Sequence, residues 1–238
     1  MKVELAVAST LPPDRSPESS SGAGGDADEQ STEATEREPP ASDLGESQLL
    51  ERLARAEAEL ERERAQAPAL CDELLSVSPR LQMQRAERDP ILHTWGVCED
   101  LLRRSVAVEE SDPDACARLA FLALAVAAHL DGDLGSTPIA KDLEARAWAC
   151  VGGSCLRFGN LPGAEEALRE AAEHLGHGTG DLLLEARLLE FEASVRRTQG
   201  QLREAAVLLK QAELRYREIN EPDLAARVRA EREKALTP

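Results

Sequence analysis

The sequence predicts an all-α fold: a short helical-repeat solenoid with N-terminal capping helices, preceded by a disordered acidic N-terminal tail. Three observations point there. Only 3% of the residues are aromatic while 42% are hydrophobic. The core must then be built from Leu, Ala and Val, which suits closely packed helices and suits a sheet poorly. The stretch from Trp148 to Leu175 returns 41 residues later, from Leu189 to Tyr216, with Gly159 aligned to Gly200, Leu161 to Leu202, Ala164 to Ala205, Leu168 to Leu209 and Ala171 to Ala212. Four helix starts share one grammar, a capping residue before proline: Ser78–Pro79, Asp89–Pro90, Asp112–Pro113 and Thr137–Pro138. The cap oxygen satisfies a free backbone N–H, and proline loses nothing at the first helical position.

In chain order, residues 1–44 form the first segment, rich in Ser, Glu, Asp, Gly and Pro. Such a composition cannot bury enough apolar surface to offset the entropy of ordering, so this tail is expected to be disordered. It holds ten acids against Lys2, Arg15 and Arg37, which places −7 of the total −17 there. The tail reads as a solubilising leader, or as a tethered acidic ligand that occupies a basic strip of the same chain at high effective concentration.

Residues 45–89 form an N-terminal helical segment. A helix begins near Ser47, with Leu49, Leu50, Leu53, Ala56 and Leu60 on one stripe. It reads as a cap for the first helix pair or as a short coiled-coil seam. Pro68 to Val77 reads as a second short helix, and Pro79 opens a third.

Residues 90–236 form the repeat domain, with helices expected at 90–108, 114–130, 139–158, 162–175, 181–199, 202–218 and 222–235. The run LAFLALAVAAHL is apolar almost all round, so the helix over 114–130 is expected in the middle, covered on several sides. Asp181 is expected to cap the helix after the Gly-rich loop. Gly159 and Gly200 end their helices in the left-handed conformation, and the alanines let the returning helix approach closely. The last helix, PDLAARVRAEREKAL, reads as a polar C-terminal cap.

With these residues in place, the pairs over 139–175 and 181–218 resemble tetratricopeptide repeats. Trp148, Gly152, Gly159, Ala164 and Ala171 match the large residue, glycine, turn glycine and spaced alanines of that family, and Gly200, Ala205 and Ala212 repeat the later part. Leu189 and Ala193 replace Trp148 and Gly152 in the second copy, no proline follows either second helix, and the period is 41 where the family has 34. The resemblance implies a right-handed superhelix, a protein- or peptide-binding role and no catalytic residues. The family's regulatory and signalling members in bacteria imply a regulatory or assembly setting.

If the first helix of each pair lines the concave surface, as in that family, Arg146, Arg157, Arg187 and Arg197 fall at matching offsets, and Arg103 and Arg104 extend the strip. Clustered guanidiniums bind carboxylates in forked geometry, so one reading is a groove for an acidic peptide. The other is that these arginines pair with Glu144, Glu185, Glu190 and Glu192 on solvated faces.

Other chemistry finds little footing. Net charge −17 disfavours direct nucleic-acid binding and anionic membrane surfaces. No apolar run suits a signal peptide or membrane span. The odd set Cys71, Cys98, Cys116, Cys150 and Cys155 has no CxxC spacing and reads as small hydrophobes in a reduced, cytoplasmic setting. A metal site at His174 and His177 would need further ligands such as Cys150 or Cys155, which lie on different helix faces. Gly176, Gly178 and Gly180 lack the strand and the Lys-Ser/Thr of a phosphate loop. No nucleophile stands with a base. The expectation is a non-enzymatic interaction module, with no metal or cofactor, that binds a protein or peptide partner. The alternative is a regulatory or sensor subunit acting through self-association beside a DNA-binding or enzymatic partner.

Overall fold

Nine α-helices and one 3₁₀ turn make up the described chain, and no strand occurs among the described residues. The computed structural model describes residues 46–130 and 137–236; the tail, 1–44, lies outside them. The helices are α1 Glu46–Leu75, α2 Pro79–Arg88, α3 Trp95–Val108, α4 Pro113–Ala127, α5 Pro138–Arg157, α6 Leu161–Gly176, α7 Leu182–Thr198, α8 Leu202–Glu218 and α9 Pro222–Leu236, with the 3₁₀ turn at Pro90–Leu92.

Local chemistry sets most boundaries. Asp112 Oδ1 accepts from the Ala115 N–H at 2.9 Å and Thr137 Oγ1 from Ala140 at 3.3 Å. Asp181 Oδ1 accepts from Leu183 at 2.8 Å and from Leu184 at 3.3 Å. Ser78 makes no side-chain cap bond, and α2 starts on Pro79 alone. At the other ends, Gly159 (φ +71) and Gly200 (φ +78) are left-handed as expected. Each stop closes with two backbone bonds: Gly159 N to Leu156 O and Asn160 N to Cys155 O, then Gly200 N to Arg197 O and Gln201 N to Arg196 O. The same pair of bonds closes α8, with Asn220 (φ 58) in the glycine's place.

Two expected boundaries are wrong. The helix expected over 90–108 is interrupted. Asp89 caps only a 3₁₀ turn, and Thr94 restarts the chain as α3 by accepting from the Val97 N–H at 3.3 Å. Glu63 of α1 assists by accepting from the Gly96 N–H at 3.2 Å. Second, Pro68 does not open a helix; it sits inside the 30-residue α1. Proline there removes one backbone bond, and tertiary packing compensates. Ala67, Cys71 and Leu74 are fully buried in the core shared with α3 and α4, and α1 comes so close to α3 that a Cβ on Gly96 would lie 2.6 Å from the Glu63 carbonyl. The docking is confined to this half. Leu50 and Leu53, expected on the docking stripe, are 59% and 52% exposed.

The helices pack in series. α3 pairs with α4, α5 with α6, α7 with α8, and α9 lies on α8. The first helices of successive pairs also touch, α3 on α5 and α5 on α7. α4 meets α2, α3 and α5, which is the central position its all-round apolarity demands. Ala164, Ala171, Ala205 and Ala212 are all 0% exposed, since only a methyl fits where the paired helices approach. Leu168 is half-buried and Leu209 buried, whereas Leu202, the repeat partner of Leu161, is 46% exposed. Trp148 meets Phe121 of α4 edge-on, ring centroids 6.3 Å apart, and packs with α6 and α7 residues on its other side.

Candidate functional site

A groove of about 630 Å³ runs along the first helices of the pairs. Its walls come from the end of α3 (Leu102, Val106, Glu109), from α5 (Arg146, Ala149, Cys150, Gly153, Leu156, Arg157) and from α7 (Leu184, Arg187, Glu190, Phe191, Ser194, Arg197, Thr198). Tyr216 of α8 and Leu224 and Arg227 of α9 close it. Four arginines expected in a binding strip therefore line one concavity.

None of those four makes an ion pair or a side-chain hydrogen bond among the described residues. The carboxylates that could have neutralised them are engaged elsewhere. Glu144 takes Lys141 Nζ at 2.6 Å and faces His174 Nδ1 at 2.7 Å. Glu185 pairs with Arg215 at 3.0 Å, Glu192 with Arg196 at 2.8 Å, and Glu190 with Arg227 at 2.9 Å. Arg157, Arg187 and Arg197 are exposed and Arg146 half-buried. The groove wall thus presents four uncommitted guanidiniums on a chain of net charge −17, a local reversal of the overall field.

Arg103 and Arg104 are not part of it. Both bond the carboxylate of Asp100 on their own helix, which is 6% exposed. Arg104 also reaches Asp72 at 2.6 Å and donates to the Pro68 carbonyl at 3.1 Å. A buried carboxylate demands such partners, and Arg104 also ties α3 to α1. Despite burial, which works the other way, the two guanidiniums hold the Asp100 carboxyl below its ordinary value.

The floor is apolar with a guarded acid. Tyr216, 1% exposed, donates its hydroxyl to Glu190. Burial pushes the Glu190 carboxyl up from its ordinary value, against the pull of that hydroxyl, of Arg227 and, more weakly, of Arg187. Burial and the Glu190 carboxylate in turn raise the Tyr216 phenol. The Cys150 thiol, in contact with Cys116, is held well above the usual thiol range by that contact and by burial. Gly152 and Gly153 have separate explanations. A Cβ on Gly152 would meet the Phe191 ring, 2.6 Å from Cε1, while one on Gly153 would lie 2.8 Å from a Glu109 carboxylate oxygen.

No family model, curated protein or solved structure significantly matches this chain.

The remaining candidates sit apart. His174 is spent on Glu144, His177 Nδ1 lies 2.9 Å from the Glu173 carbonyl, and His93 stacks on His129 with centroids 4.8 Å apart. Among the described residues no three His, Cys, Asp or Glu side chains gather as a metal-binding group. No described helix is long and apolar enough to cross a membrane. All five cysteines are free, four of them buried. The Gly-rich loop is anchored, since Thr179 donates its N–H (3.2 Å) and its hydroxyl (2.6 Å) to Asp142. Sequence reasoning missed Tyr216, Glu190 and Arg227 as one unit because they lie on three different helices. The only signal was the repeat itself, which would have placed α8 and α9 beside the strip.

Proposed function

We propose that this chain is a non-enzymatic interaction module, a divergent tetratricopeptide-like solenoid that holds an acidic segment of a protein partner in the groove. One observation carries the reading: Arg146, Arg157, Arg187 and Arg197 line one concavity and make no ion pair or side-chain hydrogen bond among the described residues, while Glu144, Glu185, Glu190 and Glu192 are engaged with other cations. Serial contact between α3, α5 and α7 supports the solenoid. Each exposed guanidinium contributes roughly 0.2–1 kcal/mol to a carboxylate contact, so useful affinity needs several at once, on an apolar floor. Groove binding of this kind weakens as ionic strength rises. The test is fluorescence anisotropy with a labelled heptapeptide of two Glu-Glu pairs joined by Ala-Leu-Ala, capped at both ends, against the full chain and against a variant with all four arginines changed to Glu. Equal binding by both proteins, or by neither, rejects the reading.

A second reading rests on α1. Its first three turns or so stand clear of the body, with Leu50 and Leu53 exposed. This favours a regulatory subunit that self-associates through that helix. Light scattering on the full chain and on Leu50→Glu/Leu53→Glu separates the two readings: a monomer in both cases removes self-association.

A further inference from the structure

Four arginines in a groove do not by themselves say what shape of anion they fit; their heights along the helices do. The Phe191 ring lies against Gly152, which puts those two residues level. Ala145 shares a packing cluster with Leu184 and Leu188, so α5 and α7 run in the same direction. Arg146 lies six residues before Gly152, and Arg187 four before Phe191. Arg157 lies five after Gly152, and Arg197 six after Phe191. At about 1.5 Å of rise per residue, one arginine pair sits roughly 6–9 Å to one side of the ring and the other roughly 7–9 Å to the other.

Between the pairs the character changes. The middle level holds Phe191, Cys150, the Tyr216 ring and two carboxylates, Glu109 beside Gly153 and Glu190 under Tyr216. Glu190 is already balanced by Arg227. A further acid brought to this level would meet the unbalanced Glu109 carboxylate over an apolar floor.

We propose that the groove selects an extended peptide with two acidic clusters about 16 Å apart, bridged by apolar residues, and rejects an acid at the centre. This deepens the acidic-segment reading and rests on it. An extended chain advances about 3.3 Å per residue, so the clusters stand about five residues apart. A nucleic acid fails on both counts, since its charge is continuous and the rest of the chain repels it.

The test uses the full chain and four labelled probes, the peptides acetylated and amidated. The matched peptide carries two Glu-Glu pairs separated by Ala-Leu-Ala. A second has the same composition with the four glutamates contiguous. A third carries Glu in place of the central Leu. The fourth probe is a single-stranded DNA 12-mer. The matched peptide binds about tenfold tighter than the contiguous one, and the central-Glu peptide is weaker than the matched one despite its extra charge. Arg146→Glu/Arg187→Glu and Arg157→Glu/Arg197→Glu each abolish the preference for the matched spacing. Equal affinity for the three peptides, lost when all four arginines are reversed, overturns the spacing while leaving the acidic groove in place. Binding of any probe that is indifferent to the four reversals overturns both, as does no binding at all. DNA binding as tight as the matched peptide overturns the choice of ligand.

Discussion

The Phe191 ring of α7 rests on the bare backbone of Gly152 in α5, so close that a Cβ there would lie 2.6 Å from ring Cε1. With the packing of Ala145 against Leu184 and Leu188, this contact fixes the height of α7 against α5 and so the heights of the arginines around the groove. It makes Gly152→Ala destabilising, by about 1–3 kcal/mol, although alanine is intrinsically the better helix former by about 1 kcal/mol. Urea unfolding checks the sign. In a Phe191→Leu background the same substitution costs less, and a cost unchanged by that background contradicts the ring contact.

The neighbouring glycine behaves oppositely. A Cβ on Gly153 meets only the end of the flexible Glu109 side chain, at 2.8 Å, which can swing aside. Gly153→Ala therefore stabilises the chain, by up to about 1 kcal/mol, read from the same unfolding curves.

The Asp100 carboxylate supplies an acid-range signature. Arg103 and Arg104 hold it below its ordinary value of 3.8, against the opposing effect of burial. Its contribution is complete above pH 3.8 and is lost as pH falls through the lower, folded value. At pH 7 Asp100→Asn costs about 2–3 kcal/mol. The gap between wild type and variant closes below pH 3.8 in a urea series from pH 7 to pH 2.

Helix stops give a paired test. Gly200 is left-handed at φ +78, and Gly200→Ala costs about 1–2 kcal/mol. Asn220 occupies the equivalent conformation at φ 58, so Asn220→Gly relieves a small strain and raises stability by a few tenths of a kcal/mol. Thermal unfolding of both variants shows opposite shifts.

Asp142 holds the loop before α7 through Thr179. Asp142→Ala releases it, and hydrogen exchange at the Thr179 amide accelerates while amides at the centre of α4 keep their protection.

The sequence by itself determined the all-helical class, the pairing of helices and most of their ends. Those depend on local chemistry: aspartate and threonine caps, left-handed glycines, and alanines whose spacing survives in any context. It also marked four arginines that share a groove, because a repeat carries equivalent residues to equivalent heights. Tertiary structure decided the rest. Pro68 stays inside α1 because packing against α3 outweighs one missing backbone bond, and no local rule weighs those two. Arg103 and Arg104 leave the strip because Asp100, buried against α1, claims both. Among the described residues the four groove arginines remain unpaired because their candidate partners are held by residues up to 37 positions away, as Glu190 is by Arg227. Which charges cancel is settled by distance in space, and the linear chain carries no record of it.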